Sequence, residues 1–190
     1  MKFIHLKPSD YVTSTWSGGT TTQLSIAPAG AVYADRDFLW RISSATVDLE
    51  VSDFTALPDY DRLIATLNGS IDVTHNDGDV IHLAPYHVHA FDGGWNTRSV
   101  GRCTDFNLMV RKGACTGAMT SLLLNDETTA VDVPANTDVV VYCAEGTVRV
   151  EAGEDAVVLE AGESCTARST DNVRLSCSGT GKAIYCGATC

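Results

Sequence analysis

Short runs of Val, Ile, Thr and aromatic residues recur along the whole chain, with Gly, Asp and Asn turn signals between them. Segments with the 3.6-residue periodicity of an amphipathic helix are almost absent. Many short strands separated by turn signals are typical of β-sandwiches and β-barrels. One short helix is predicted over residues 117–124, where it would link two halves. The sequence therefore predicts an all-β protein with little helix.

The β pattern continues through both halves of the chain, whose 190 residues suit one domain or two small packed halves. After residue 125 the strand–turn rhythm of the first half is weakly repeated, with connectors such as Glu145-Gly146 between runs of apolar residues. Two small jelly-roll barrels packed together would explain this repetition. We predict an N-terminal cupin-like half over residues 1–118 and a C-terminal half over residues 119–190.

Composition excludes several classes of function. The formal net charge of −11 argues against binding to nucleic acid or to an anionic membrane. The chain shows no apolar signal segment and no stretch long enough to span a bilayer, so we expect a cytoplasmic protein. Seven cysteines without a CxxC pair do not fit a structural zinc site or a secreted disulfide framework.

The run from Thr104 to Gly113 alternates between two kinds of side chain. If the run is an extended strand, one face carries Asp105, Asn107, Met109 and Arg111, and the other face is largely apolar. The polar face either meets solvent or lines a pocket, and the segment alone leaves both interpretations open. An acidic protein can still bind an acidic small molecule where a few arginines converge in a sheltered site.

Two other segments place arginines among apolar residues. Arg41 and Ser43 share one strand face, and Arg41 is either a surface arginine or a buried ligand for an anion. Asp61 and Arg62 follow a Pro-Asp-Tyr turn. They form either a salt bridge that fixes the turn or part of a barrel rim.

A third segment begins at Trp16, where a Gly pair permits a tight turn or a close backbone approach. Thr20 and Thr22 would follow it on one strand face. His87 and His89 have the spacing of two metal ligands on a strand. No Glu follows them at the distance a mononuclear cupin centre needs, so we predict no metal and no cofactor.

Five motifs in the same order resemble those of the HutD/Ves family of bicupin proteins. The resemblance covers roughly residues 10–115. The motifs are residues 16–24, residues 40–47, residues 54–62, Phe91-Asp92-Gly93 and residues 105–113. The family more usually has Asn before three glycines in the first motif, whereas this chain has Ser17-Gly18-Gly19-Thr20. The resemblance implies a bicupin fold and, in some bacteria, an association with histidine utilization; other members are described as stress-induced.

The resemblance also implies a binding protein for a small pathway metabolite, such as formylglutamate or urocanate. We therefore expect a carboxylate site in the N-terminal barrel, with a regulatory rather than a catalytic role. The expected site contains Trp16, Thr20, Thr22, Arg41, Ser43, Asp61, Arg62, Phe91, Asp105, Asn107, Met109 and Arg111.

Two alternatives remain open from the sequence. The first is a cupin-type isomerase, lyase or hydrolase that acts on a small acid, with Asp105 or Asp61 as general base. The second is an interaction protein whose barrel serves as a scaffold for partner contacts. In either case a homodimer is the expected assembly.

Overall fold

The computed structural model describes residues 1–190 and is almost entirely β. It contains seventeen strands and two three-residue 3₁₀ helices, Pro8–Asp10 and Tyr33–Asp35. Neither helix is long and apolar enough to cross a membrane. The strands form two compact units. The first unit comprises Val12–Gly117, and the second comprises Met1–Tyr11 together with Ala118–Cys190.

The first unit is built from two sheets. The six-stranded sheet has the order β2-β3-β4-β11-β6-β9 and the four-stranded sheet has the order β5-β10-β7-β8. The six-stranded sheet contains β2 (Val12–Trp16), β3 (Gly19–Ala27), β4 (Trp40–Val47), β6 (Tyr60–Asn68), β9 (His89–Asp92) and β11 (Cys103–Arg111). The four-stranded sheet contains β5 (Val51–Asp53), β7 (Ile71–His75), β8 (Val80–Leu83) and β10 (Thr97–Val100).

One apolar cluster joins the inner faces of these two sheets. Val47 and Ile64 come from the six-stranded sheet, and Val73 and Leu83 come from the four-stranded sheet. A second cluster contains Phe38, Leu57, Tyr60 and Met109, all buried. Burial of such side chains stabilises the fold by about 1.5–3 kcal/mol each. The two sheets therefore face each other across a shared core, in the manner of a jelly roll.

The Gly18-Gly19 pair makes the turn between β2 and β3 possible. A Cβ on Gly19 would clash with the carbonyl oxygen of Thr46 on β4, and a Cβ on Gly18 would clash with the ring of Trp16. Gly19 also has a φ of 148°. The close backbone approach anticipated for this pair is therefore to a neighbouring strand.

The second unit is a single seven-stranded sheet in which β14 lies between β16 and β17. Its strands are β1 (Ile4–Leu6), β12 (Thr116–Asn125), β13 (Thr129–Val133), β14 (Thr137–Ala152), β15 (Asp155–Glu160), β16 (Ser164–Ser169) and β17 (Val173–Thr189). Strand β1 pairs antiparallel with β16, so residues 1–11 belong to this unit and not to the N-terminal half in which the sequence placed them.

Two local predictions are corrected in this region. The predicted helix over residues 117–124 is wrong, because those residues lie within strand β12. The predicted connector Glu145-Gly146 lies inside β14, which continues through it with a register shift between Cys143 and Glu145. The interior of the unit is filled by small and branched apolar side chains, among them the free buried thiols of Cys143, Cys165 and Cys177.

Candidate functional site

A cavity of about 410 Å³ lies within the first unit. Members of both apolar clusters line it, including Val47 and Met109. Its full lining is Ser14, Trp16, Thr21, Tyr33, Arg41, Ser43, Ala45, Val47, Ser52, Asp53, Phe54, Thr55, Arg62, Asp105, Asn107 and Met109. A cavity of this size, with apolar walls and a few polar groups, is typical of a site for a small molecule.

Strand β11 delivers three of these side chains by simple alternation. Asp105, Asn107 and Met109 point into the cavity, and each is at most 8% exposed. Phe106 and Leu108, on the opposite face, are fully buried. Both faces of β11 are thus covered, and the interpretation in which the polar face meets solvent is wrong.

Arg62 enters the same cavity from β6, where it pairs with Met109 of β11. Its guanidinium lies between two aromatic rings, with its carbon 5.0 Å from the ring centroid of Phe54 and 5.1 Å from that of Phe91. One terminal nitrogen donates a long hydrogen bond of 3.5 Å to the carbonyl oxygen of Thr55. Arg62 takes part in no ion pair. A buried cation is thus held mainly by aromatic faces.

Arg41 enters from β4 and is held by neutral partners. Its Nε donates to the amide oxygen of Gln23 at 2.8 Å, and one terminal nitrogen donates to Ser43 Oγ at 3.1 Å. The guanidinium carbon lies 4.2 Å from the ring centroid of Tyr33. These contacts fix the direction of the guanidinium and leave its charge without a carboxylate partner.

Burial penalises charge throughout the cavity. It raises the pKa of Asp105 to about 7, although Arg62, the backbone N–H of Ala45 and Arg41 act in the opposite direction. It also lowers the pKa of Arg62 to about 10, which leaves the arginine charged near neutral pH. Two cations therefore share the cavity with a single buried acid that titrates near neutrality.

Three buried polar atoms on the cavity wall have no hydrogen-bond partner: Nε of Arg62, Oδ1 of Asn107 and Oγ of Ser52. Leaving a buried polar group unsatisfied costs roughly 1–3 kcal/mol, and more for a charged group. Native proteins rarely accept this cost without a reason. A polar ligand in the cavity would offset it.

The structure brings seven of the twelve sequence-predicted site residues to this cavity. They are Trp16, Arg41, Ser43, Arg62, Asp105, Asn107 and Met109. The other five do not line it. Thr20 and Thr22 alternate with Thr21, which does line it, and Thr22 Oγ1 lies 2.9 Å from Thr13 Oγ1 instead. Phe91 stacks on Arg62 without lining the cavity.

Asp61 and Arg111 also lie outside the cavity. Asp61 is exposed, because its side chain points to the opposite face of β6 from Arg62. Arg111 has its own set of acceptors. It donates to the carbonyl oxygens of Phe38 and Arg36 at 3.0 and 2.6 Å and to the Tyr60 hydroxyl at 2.7 Å. Arg111 therefore fixes the segment that precedes β4.

The histidines are arranged differently from the predicted pair. His87 is exposed and precedes β9, whereas His89 lies on β9 and its Nε2 is 2.8 Å from Nε2 of His75 on β7. No group of three or more His, Cys, Asp or Glu side chains converges in the way that metal ligands do.

Nine lining residues were not predicted from the sequence: Ser14, Thr21, Tyr33, Ala45, Val47, Ser52, Asp53, Phe54 and Thr55. Phe54 and Thr55 belong to the motif at residues 54–62, and their place beside Arg62 in that motif was a usable signal. Tyr33 lies in a 3₁₀ helix outside every motif, and nothing in the sequence connects it with Arg41.

The chain has two β units, and the first of them has a polar cavity between its two facing antiparallel sheets. This architecture is that of a bicupin-type protein. The HutD family model matches residues 8–185, and the chain belongs to that family. A search of curated proteins found no significant match.

Solved structures support the same fold. The conserved protein of unknown function PA5104 from Pseudomonas aeruginosa PAO1 aligns with a TM-score of 0.84 at 19% identity, over 100% of this chain and 98% of that protein. HutD from Pseudomonas fluorescens SBW25, determined in a formate condition, aligns with a TM-score of 0.80 at 23% identity, over 98% of each chain. Oxalate decarboxylase from Bacillus subtilis aligns with a TM-score of 0.68 at 7% identity, over 100% of this chain and 77% of that one.

Proposed function

We propose that the cavity of the first unit binds a small carboxylate metabolite of the formylglutamate or urocanate type, and that the protein acts by binding rather than by turnover. The observation that carries this proposal is Arg62, a buried cation with no ion pair and with an unpaired Nε on the cavity wall. Removing a charge from water is costly unless a counter-charge and hydrogen bonds replace the lost hydration. An anionic ligand supplies both.

The surroundings of Arg62 favour a carboxylate among the possible anions. The rings of Phe54 and Phe91 cover the guanidinium, so its hydrogen-bonding edge is left for a ligand. A planar carboxylate matches that edge with two parallel hydrogen bonds. Met109 and Val47 supply apolar wall for a short carbon chain.

Family membership and the chemistry of the cavity both support a regulatory role as part of this proposal. Members of the family that accompany histidine-utilization enzymes are thought to limit the pathway by binding one of its metabolites. The cavity of this chain has donors and apolar walls, and its arginines are placed to hold a ligand rather than to react with it.

The first test is thermal unfolding in the presence of N-formylglutamate, urocanate, glutamate and formiminoglutamate. A ligand at about 100 times its Kd stabilises by about 2.7 kcal/mol, which raises the Tm of a chain of this size by roughly 5–10 °C. We expect one of these acids to produce such a shift. The absence of a shift with every acid would contradict the proposal.

The matched variants are Arg62→Met and Arg102→Ala. Arg62→Met keeps an unbranched side chain between the two phenylalanine rings but removes the charge, so we expect the ligand-induced shift to be lost. Arg102 is an exposed arginine outside the cavity, with its side chain 69% accessible, and Arg102→Ala should keep the full shift. Equal shifts in both variants would show that Arg62 does not hold the ligand.

A catalytic function is a second candidate, and the pKa of about 7 at Asp105 favours it. A carboxylate that titrates near neutrality inside a cavity is suited to act as a general base. Asp61 is not placed for this role, because it is exposed and outside the cavity. Loss of substrate signals by NMR with the wild-type protein but not with Asp105→Asn would favour an enzyme, whereas unchanged spectra would favour binding alone.

A further inference from the structure

Asp105 is the one buried carboxylate of the first unit, and the structure gives it no cationic partner. It is 8% exposed, lines the cavity and accepts a hydrogen bond from the backbone N–H of Ala45 on the neighbouring strand. It takes part in no ion pair. Buried carboxylates are normally ionised only when paired or fully hydrogen-bonded, and Asp105 is neither.

The surrounding elements carry charges of mostly one sign. Arg62 and Arg41 attract the Asp105 carboxylate from β6 and β4, but neither comes within ion-pair distance. The other titratable groups around the cavity are Tyr33, Asp53 on β5, His75 on β7, His89 on β9 and Cys103 on β11. Burial lowers the pKa of both histidines, which are neutral at and above pH 7. Asp105 is therefore the group whose charge changes near neutral pH.

An anionic ligand in the cavity changes the protonation equilibrium of Asp105. A carboxylate that binds Arg62 satisfies the same cation that stabilises ionised Asp105, and it places a second negative charge in the cavity. Two carboxylates that share one low-dielectric site do not both remain ionised, because their repulsion raises the pKa of one of them. A neutral Asp105, in contrast, has an O–H that can donate to the ligand.

Resting on the proposed carboxylate site, we propose that binding of the ligand is coupled to the uptake of one proton by Asp105, which then donates a hydrogen bond to the bound carboxylate. The proton comes from solvent, and no covalent bond to the ligand forms. The protein thereby responds to pH as well as to the concentration of the metabolite. Near pH 6 Asp105 already carries the proton, and the coupling disappears.

The pH dependence has a definite sign. Asp105 in the empty cavity has a pKa of about 7, so above that value ligand binding must also protonate it. Because binding takes up a proton, the apparent affinity for the ligand falls by about tenfold for each pH unit above pH 7. Below about pH 6 the apparent affinity is nearly independent of pH.

The test is isothermal titration calorimetry of the full chain with N-formylglutamate in buffers of different ionisation enthalpy. The slope of the observed enthalpy against the buffer enthalpy gives the number of protons bound. We expect a value approaching one near pH 8 and approaching zero near pH 5.5. Binding without proton uptake near pH 8 would overturn this inference while leaving the binding site in place.

Two variants separate the possible sources of the proton. In Asp105→Asn the amide cannot titrate, so we expect no proton uptake and an affinity that no longer falls between about pH 7 and pH 8. Asp61→Asn removes an exposed carboxylate next to Arg62 in sequence but outside the cavity, and it should keep the wild-type uptake. Uptake that persists in Asp105→Asn would assign the proton to another group. If N-formylglutamate does not bind, the same titration is made with urocanate, glutamate and formiminoglutamate, and absence of binding to all four acids would overturn the proposed function as well.

Discussion

Arg111 and Arg62, two arginines of the first unit, differ in role because they differ in their hydrogen-bond partners. Arg111 satisfies its donors with two backbone carbonyls and the Tyr60 hydroxyl, and it holds the segment before β4 in place. Arg62 lies on the next strand and has one long hydrogen bond and an unpaired Nε. A satisfied arginine stabilises the fold, whereas an unsatisfied one marks a site. This difference is the main support for the proposal that the cavity binds an anion.

A second residue-level feature is a directed chain of hydrogen bonds through two histidines. The Thr97 hydroxyl donates to the carbonyl oxygen of Trp95, so its oxygen accepts from Nδ1–H of His75, 2.8 Å away. Nε2 of His75 then accepts from Nε2–H of His89. This arrangement requires a neutral His75, and burial lowers the pKa of His89, so His89 is neutral above pH 7 as well. Their rings also stack against Phe91, which contacts Arg62.

The hydrogen-bonded pair of His75 and His89 is expected to stabilise the fold less in mild acid than at neutral pH. Burial lowers the pKa of His75 and His89 below the ordinary value of 6.5. At these two histidines the unfolded chain therefore binds more protons than the folded one as the pH falls from about 7 to about 5, and their contribution to the free energy of unfolding decreases over that range. His89→Gln keeps an N–H donor but cannot titrate, so we expect it to lose less stability than the wild type between pH 7 and pH 5. Urea unfolding at the two pH values measures the difference.

The control for this prediction is His87→Gln, which removes an exposed histidine two residues away and should keep the wild-type pH profile. Titration of Asp105 has the opposite sign, because its folded pKa is raised and its ionisation costs stability as the pH increases. That contribution is common to all three proteins and cancels in the comparison. Identical profiles for the wild type and His89→Gln would contradict the assigned role of the pair.

At the scale of elements, β14 and β17 are the longest strands, with 16 and 17 residues, and they pair along their lengths. Gly146 lies just beyond the register shift of β14 and opposite Gly181 of β17. Its φ is 74°, and a Cβ there would clash with the carbonyl oxygen of Thr180. Because neither glycine carries a Cβ, the two backbones can approach closely and stay paired beside the register shift.

Substitution of Gly146 tests this explanation. Gly146→Ala must accept both an unfavourable φ and a backbone clash, so we expect a loss of about 2–4 kcal/mol in the free energy of unfolding. Gly153→Ala is the matched control, since Gly153 also has a positive φ, 63°, but has open space around a Cβ. It should cost about 1 kcal/mol. Chemical denaturation distinguishes the two, and equal losses would contradict a role for close backbone approach.

For the whole molecule, the interiors of the two units differ in polarity. The interior of the second unit is filled by apolar side chains such as Leu159 and Leu175, which are fully buried. The first unit keeps a polar cavity whose buried arginines are cationic, although the chain carries a net charge of −11. A low-dielectric cavity lets a few local charges outweigh a distant surface charge of the opposite sign. An acidic protein can thus hold an acidic ligand.

Local periodicity and turn residues were enough to predict the all-β class, most strands of the first unit and the alternation of β11. The sequence also brought Arg41, Arg62, Asp105 and Asn107 into one hypothesis. Its errors were non-local. The residues of the predicted helix at 117–124 form a strand, because pairing with β17 overrides their local pattern.

Which polar residues share the cavity depends on how the sheets pack, and the sequence pattern does not contain that information. Arg111 continues the alternation of Asp105 and Asn107, yet it lies past the cavity and binds the segment at Arg36. Tyr33 and Phe54 each precede the arginine that they contact by only eight residues, but both lie outside the strands that carry Arg41 and Arg62, so strand periodicity does not predict the contacts. Periodicity specifies the face of a strand on which a side chain lies, but whether that face meets water or a cavity depends on which sheet packs opposite it.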